Sequence, residues 1–498
     1  MIRKVIIVGS GSAGLIAALA IKKRNPNLSV RVLSSERIGT IGVGEGTVPF
    51  VLNFMHRYLG LDEAEAYRAL DPVYKLGVRF TWGKRDYYDY TFSTHQHQLN
   101  VPGETKRSGA FVLGNSTNFD LSSAMMDQNK VLPKRNDGLP NLPPAGDLVA
   151  WHLENHKFIA WLENQAKNLK IEFIEGKFTE VSLNEQGEVK GLQLETGALL
   201  KADFFVDASG FRSELVHKAL ETPHVSYADS LLCRRALVGG WDRGDEPILP
   251  YTTSDGMNAG WAWQIDHPER INRGYVYCPD HISDDEAERE FRTRNPKLGE
   301  VREVNFSSGR VEDVWVKNVV AIGNAAGFVE PLEATAIMCA CLQAKWLADG
   351  LVEAERSPTP TMRTLYNRQV KELWDEIKDF LALHYKFNNR VDNEFWKRCR
   401  EEIDLGQLNQ LAEFYRENGP TPLGSVLVPE RSPFGYVGYL SHLVGLKVKS
   451  PSLKKDAKKH WDKINTHFSA LADRGIDMAQ VREKLLKAES WGKIRKPA

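Results

Sequence analysis

Three glycines near the N-terminus restrict this chain more than any other feature. Val5-Ile6-Ile7-Val8 is a short, continuously apolar run of the kind a buried parallel strand requires, and Ala13 to Lys23 has helical composition. Gly9, Gly11 and Gly14 lie between them in the spacing G-x-G-x-x-G, with Ser12 and Ala13 in the same turn. The first glycine permits the turn, the second lets backbone N–H groups approach a pyrophosphate, and the third lets helix and strand pack closely. A strand before and a helix after turn a common pattern into a specific one, and predict a Rossmann-type α/β dinucleotide-binding fold. The second strand, Ser29 to Leu33, should end on an acid that holds a ribose hydroxyl. Ser34 occupies that place and Glu36 follows two residues on, so either can make the contact.

At 498 residues the chain exceeds one simple core, so a large nucleotide-binding body with elaborations is expected. Lysine plus arginine balance aspartate plus glutamate at 65 each, which gives no electrostatic case for nucleic acid or an anionic membrane surface. Partners are then small molecules or other proteins, a homo-oligomer included. The five cysteines form neither a C-x-x-C pair nor a metal-spaced set, so a reduced, cytoplasmic setting without a metal site is expected. Met1 to Ala20 superficially imitates a signal peptide, but the glycine turn interrupts its apolar run. No apolar run approaches the roughly 20 residues that cross a bilayer.

Further along, Ile38 to Pro49 alternates glycines with Ile41, Val43 and Val48, and this predicts an ordered strap lying against something flat. A helix or two over 50–70 leads into Asp71-Pro-Val-Tyr-Lys75-Leu-Gly77 and a strand from Gly77 to Trp82. Composition shifts to Asn, Pro, Ser, Gly and His over 92–147, as in a surface elaboration or a substrate-covering insertion. Val149 opens a helix to about Leu169, in which His152 is a packing residue. Residues 171–206 read as successive strands, with Phe204 to Val206 a buried strand at the returning edge of the nucleotide domain. Val319 to Ile322 is another buried strand. Ala334 to Leu351 is a helix whose start can receive an anion, and the chain is mostly helical after Pro358.

Taken together, the motifs resemble those of flavin-dependent halogenases of the tryptophan halogenase type. The likeness rests on the glycine fingerprint, the strap Ile41-Gly-Val-Gly-Glu45-Gly-Thr-Val-Pro49, Lys75 before Gly77 and Phe80, Trp261-x-Trp263-x-Ile265, Pro331-Leu-Glu333-x-Thr335, and Leu383-His-Tyr385 with Phe395-Trp396. Asp266 stands where W-x-W-x-I-P has proline, Ala334 and Ala336 stand where serine and glycine are usual, and segments that clasp free tryptophan are not matched. The resemblance implies a Rossmann-type FAD-binding fold with an added β-sheet wall and a mostly helical C-terminal region. Its FAD-binding parts would be 1–92, 149–224 and 311–355, with an insertion at 93–148, a substrate wall at 225–310 and a helical cover at 356–498. It implies FAD, reduced by a separate flavin reductase, chloride or bromide as co-substrate, and an electron-rich aromatic substrate.

By the same resemblance, hypohalous acid formed at the flavin travels inside the protein to Lys75, which polarises it as a hydrogen-bond donor or forms a haloamine. Glu333 stabilises the charge on the ring or takes its proton. Thr335 and Ala336 bind halide through their backbone amides; Ile41, Val43, Glu45, Val181, Asn324 and Ile337 touch the cofactor. A flavin-dependent aromatic hydroxylase, and a flavin-binding protein without halogenase activity, remain as alternatives. Trp261 and Trp263 read equally as core or as a wall between substrate and flavin.

Overall fold

The computed structural model describes residues 1–35, 44–92, 119–451, 455–487 and 491. Its foundation is a six-stranded sheet in the spatial order Trp315–Val316, Val319–Ala321, Phe204–Asp207, Lys4–Val8, Ser29–Ser34 and Glu172–Glu175, parallel except at the Trp315 edge. Val5 pairs with Val30 on one side and with Phe204 on the other. The returning strand Phe204–Asp207 is therefore interior, not the edge. All four of its residues are buried, and a later strand, Val319–Ala321, adds beyond it.

Helix Ser12–Arg24 buries every residue from Gly14 to Ile21 and packs on helix Ala336–Glu353. The approach depends on Gly14, where a Cβ would run into the carbonyl of Gly9 and lie 3.3 Å from the Ala208 methyl. The turn itself needs Gly9, at φ +113°.

A three-stranded sheet sets Ala150–Leu153 between Glu45–Gly46 and Val73–Lys75, with Gly46 and Val73 both opposite His152, and Lys75 opposite Ala150. The helix expected from Val149 begins only at Asn155. Pairing on both edges, with all four residues buried, overrides the local propensity of Ala150 to Leu153. The chain leaves this sheet at Lys75 and two residues later joins a seven-stranded one, where Gly77–Thr81 runs parallel to Thr252–Met257 and antiparallel to Tyr88–Thr91. Between them the Leu76 N–H donates to the Pro250 carbonyl. Lys75 thus sits at the joint between two sheets.

The seven-stranded sheet explains one departure from the pattern that the sequence resembles and one ambiguity. Trp263 lies flat on Gly274 of the neighbouring strand, where no side chain fits, and Trp261 is 1 % exposed, so both indoles are core. Asp266 is fully buried against Arg243, which also donates to the carbonyls of His267 and Pro247. A buried ion pair thus closes the strand where a proline would otherwise end it. Among the described residues no helix is long and apolar enough to cross a membrane.

Candidate active site

A cavity of about 540 Å³ opens at the glycine turn. Gly9, Gly11, Ser12, Ala13 and Ser34 line it together with Glu45, Asn324, Ala336 and Ile337. A Cβ on Gly11 would meet no protein atom within 4 Å, so the start of helix Ser12–Arg24 presents bare backbone to the cavity. Elsewhere Ser12 Oγ donates to Asn155, which joins the lining. An exposed helix N-terminus, with the glycine turn at Gly323 packed directly against Ala13, suits a dinucleotide, and the residues present fit FAD.

Of the expected cofactor contacts, Val181 is displaced. It pairs with Leu192 and packs on the core, while Phe178 and Thr179, nearer the start of the same strand, face the cavity. Gly14 stands behind the turn and Thr335 beneath the lining, 2 % exposed, at the N-cap of helix Ala336–Glu353. Glu36, Ile41 and Val43 lie outside the described residues.

On the far side of the strap, Lys75 is completely buried. Its Nζ donates to the Thr47 carbonyl at 3.2 Å and lies 5.3 Å from the centre of the Phe92 ring. A Cβ on Gly46 would be 3.5 Å from that Nζ and 3.3 Å from the Ala334 methyl, so Lys75, the strap and the residue after Glu333 converge at one place. Burial pulls the amine down from 10.5 to about 8, and the negative charge of Glu333 works against the fall. His152 stands close enough for the Lys75 charge to weigh on it; its Nε2 is 2.8 Å from Thr252 Oγ1, and burial keeps the ring neutral. The packing histidine therefore has a partner that only the fold reveals.

Glu333 ends a short 3-10 turn, Pro331–Glu333, and is followed by Ala334 in the left-handed region at φ +55°. A non-glycine residue there costs about 1–2 kcal/mol, and it reverses the chain so that helix Ala336–Glu353 starts directly beneath the cavity. The Glu333 carboxylate is 4 % exposed and its Oε1 lies 2.8 Å from His384 Nε2 and 3.5 Å from His442 Nε2. His384 Nδ1 must donate, because its partner at 2.8 Å is the Phe380 carbonyl one helical turn back. His442 Nδ1 is 3.1 Å from the Tyr88 hydroxyl. Phe80, on the strand that follows Lys75, stands 5.3 Å from the His384 ring and 5.1 Å from the His442 ring.

Three residues away, Glu330 is wholly buried and accepts from Trp261 Nε1 at 2.8 Å and from the Tyr385 hydroxyl at 2.7 Å. Burial raises its carboxyl to about 7, against those two donors. The sequence pointed to Lys75 and Glu333, which the fold brings to one region. It gave no role to His384 or Thr47, although both stand in segments that carry the resemblance, and it did not single out His442 or Tyr88, which come from remote segments with no spacing that could have marked them.

Comparison with known proteins agrees with this geometry. The tryptophan halogenase family pattern matches residues 4–460. The chain is 32% identical over 446 residues to the tryptophan 6-halogenase ThaL of Streptomyces albogriseolus, covering 85% of this chain and 83% of that one. The solved lathipeptide tryptophan 5-halogenase MibH superposes with a TM-score of 0.91 at 32% identity, over 100% of this chain and 96% of MibH. The flavin-dependent halogenase BrvH from Brevundimonas sp. BAL3 superposes at 0.83 with 26% identity, over 97% and 99% of the two chains. This chain belongs to the tryptophan halogenase family, and it is a flavin-dependent halogenase of aromatic substrates.

Proposed function

We propose that the enzyme halogenates an indole by holding FAD in the cavity at the glycine turn and delivering hypohalous acid through the protein to Lys75, beside Glu333. The observation that carries this reading is the position of Lys75 Nζ: fully buried, fastened to Thr47 on the strap, and next to the residue that follows Glu333. Reduced FAD, supplied by a separate flavin reductase, provides with oxygen the oxidising power that converts chloride or bromide to hypohalous acid. Backbone amides of Thr335 and Ala336, at the positive end of helix Ala336–Glu353, hold the halide. The strap and the buried lysine keep the oxidant from water.

With its pKa lowered to about 8, Lys75 still favours the protonated form at pH 7. The major form is thus a hydrogen-bond donor that polarises hypohalous acid; the free amine needed for a haloamine is the minor form. Glu333, steadied by His384, stabilises positive charge on the attacked ring and accepts the departing proton. The substrate we propose is a tryptophan side chain borne by a peptide, on the strength of the full-length fit to MibH and of the missing segments that clasp free tryptophan.

The test supplies a flavin reductase, FAD, oxygen and chloride or bromide with tryptophan-containing peptides and, separately, free tryptophan, scored by the halogen mass shift. A halogenated peptide is expected. Oxygen insertion that needs no halide would replace the reading with a hydroxylase, and turnover of free tryptophan alone would overturn the peptide assignment.

A further inference from the structure

We propose that Glu333, His384 and His442 form a binding site for a divalent transition-metal ion of the zinc type, and that an ion held there takes the Glu333 carboxylate out of the reaction. The inhibitory consequence rests on the role proposed above for Glu333; the binding itself does not.

Three elements far apart in sequence supply the ligands: the turn Pro331–Glu333, helix Pro360–Phe387 and helix Gly435–Gly445. The carboxylate oxygen and the two imidazole nitrogens lie within 4.8 Å of one another, all on buried residues. Tetrahedral zinc, with bonds of about 2.0–2.2 Å, needs ligand atoms roughly 3.3–3.5 Å apart. The 3.5 Å from Glu333 Oε1 to His442 Nε2 already meets this, and the 2.8 Å to His384 Nε2 has to open by a few tenths of an ångström.

The outer partners are in place. An imidazole that binds a metal through one nitrogen characteristically engages the other with a carbonyl, carboxylate or water, which sets its tautomer and aim. His384 Nδ1 donates to the Phe380 carbonyl, which fixes the ring and aims Nε2 at Glu333. His442 Nδ1 is tied to the Tyr88 hydroxyl. A second, independent sign is His442 Nε2, which is fully buried, faces the Glu333 carboxylate and has no hydrogen-bond partner. A polar atom left so in a close-packed interior calls for a ligand. Phe80, Tyr90 and Phe380 enclose the His442 ring. Two imidazoles and one carboxylate favour zinc over magnesium or calcium, which require oxygen ligands, and three protein ligands leave a fourth position open.

The test uses the full chain, stripped with a chelator and dialysed against Zn2+ without flavin or halide, with bound metal measured by elemental analysis. One equivalent should be retained, and excess Mg2+ should not displace it. His442→Gln and His384→Gln should each lose that equivalent, and Tyr88→Phe should bind it about 10–100-fold more weakly. Retention of FAD binding in each variant shows that the fold persists. Absence of a retained equivalent in the parent chain, or an unchanged affinity in His442→Gln, overturns the site. Zn2+ added to the halogenation assay, after the reductase has been shown to tolerate it, should suppress halogenation in the parent chain. Zinc binding without any halogenation would leave the site standing and remove the proposed function; halogenation without zinc binding would do the reverse.

Discussion

Lys75 Nζ donates to the Thr47 carbonyl at 3.2 Å, and Thr47 is itself fastened to Trp151 by three hydrogen bonds. Backbone and side chain of Thr47 both donate to the Trp151 carbonyl, at 2.9 and 2.8 Å, and its hydroxyl accepts from the Trp151 N–H at 2.8 Å. The amine is therefore positioned by the same strand, Ala150–Leu153, that pairs with the strap and with the lysine's own segment. Any shift of the strap carries the lysine with it.

Lys75→Met should abolish halogenation while stabilising the protein at neutral pH. Burial has lowered the folded-state pKa from 10.5 to about 8, so between those values the unfolded chain holds a proton that the folded chain lacks, and stability rises with pH. Below about pH 8 the whole penalty is present, on the order of 3 kcal/mol. Denaturation midpoints at pH 7 should be higher for the methionine variant, and the gap should shrink toward pH 10. Equal midpoints at both pH values would mean that the amine is not desolvated as described.

Glu333→Gln should lower the rate of halogenation by about 10²–10⁴-fold, the range for losing a positioned base or a charge stabiliser. FAD affinity, read by fluorescence, should not change, since Glu333 does not line the flavin cavity. Full activity in this variant would remove Glu333 from the chemistry.

Glu330 titrates in the opposite sense. Its folded-state pKa is raised from 4.5 to about 7, so folding stability is lost as pH rises through that interval. The stability of Glu330→Gln relative to the parent chain should accordingly grow from pH 5 to pH 8. A difference that does not depend on pH would show that Trp261 and Tyr385 keep the carboxyl ionised throughout.

Gly11 and Gly14 should respond differently to alanine. At Gly11 the added methyl meets no protein atom within 4 Å, so the variant should fold with a normal melting temperature but bind FAD weakly. At Gly14 the methyl collides with the Gly9 carbonyl, and the protein should lose stability as well as FAD. Thermal melts without cofactor separate the two effects.

Ala334→Gly should raise stability by about 1 kcal/mol, because glycine accepts φ +55° without the Cβ clash. Halogenation should fall at the same time, as the turn that aims Glu333 loses its rigidity. A destabilised variant would contradict the left-handed geometry.

The nucleotide fold was legible because its signals are local. An apolar strand, three glycines at set spacing and a helix adjoin one another between Val5 and Arg24, and each glycine has a steric reason that holds in any context. Lys75 and Glu333 were legible through motifs. Ala150–Leu153 was misread as helix because its conformation comes from strands on both sides, one of them the strap about a hundred residues earlier. The interior position of Phe204–Asp207 was hidden for a like reason, since its outer neighbour is a strand about a hundred residues later.

By itself, the order of residues determined a dinucleotide-binding sheet, since backbone sterics and hydrophobic patterning act over a few residues at a time, while Lys75 and the turn at Glu333 stood out only through resemblance to a known family. Tertiary structure alone decided what surrounds the Glu333 carboxylate. His384 and His442 meet it from two separate helices, and distances of 2.8 and 3.5 Å arise from the packing of those helices around Phe80, a relation that no spacing along the chain encodes.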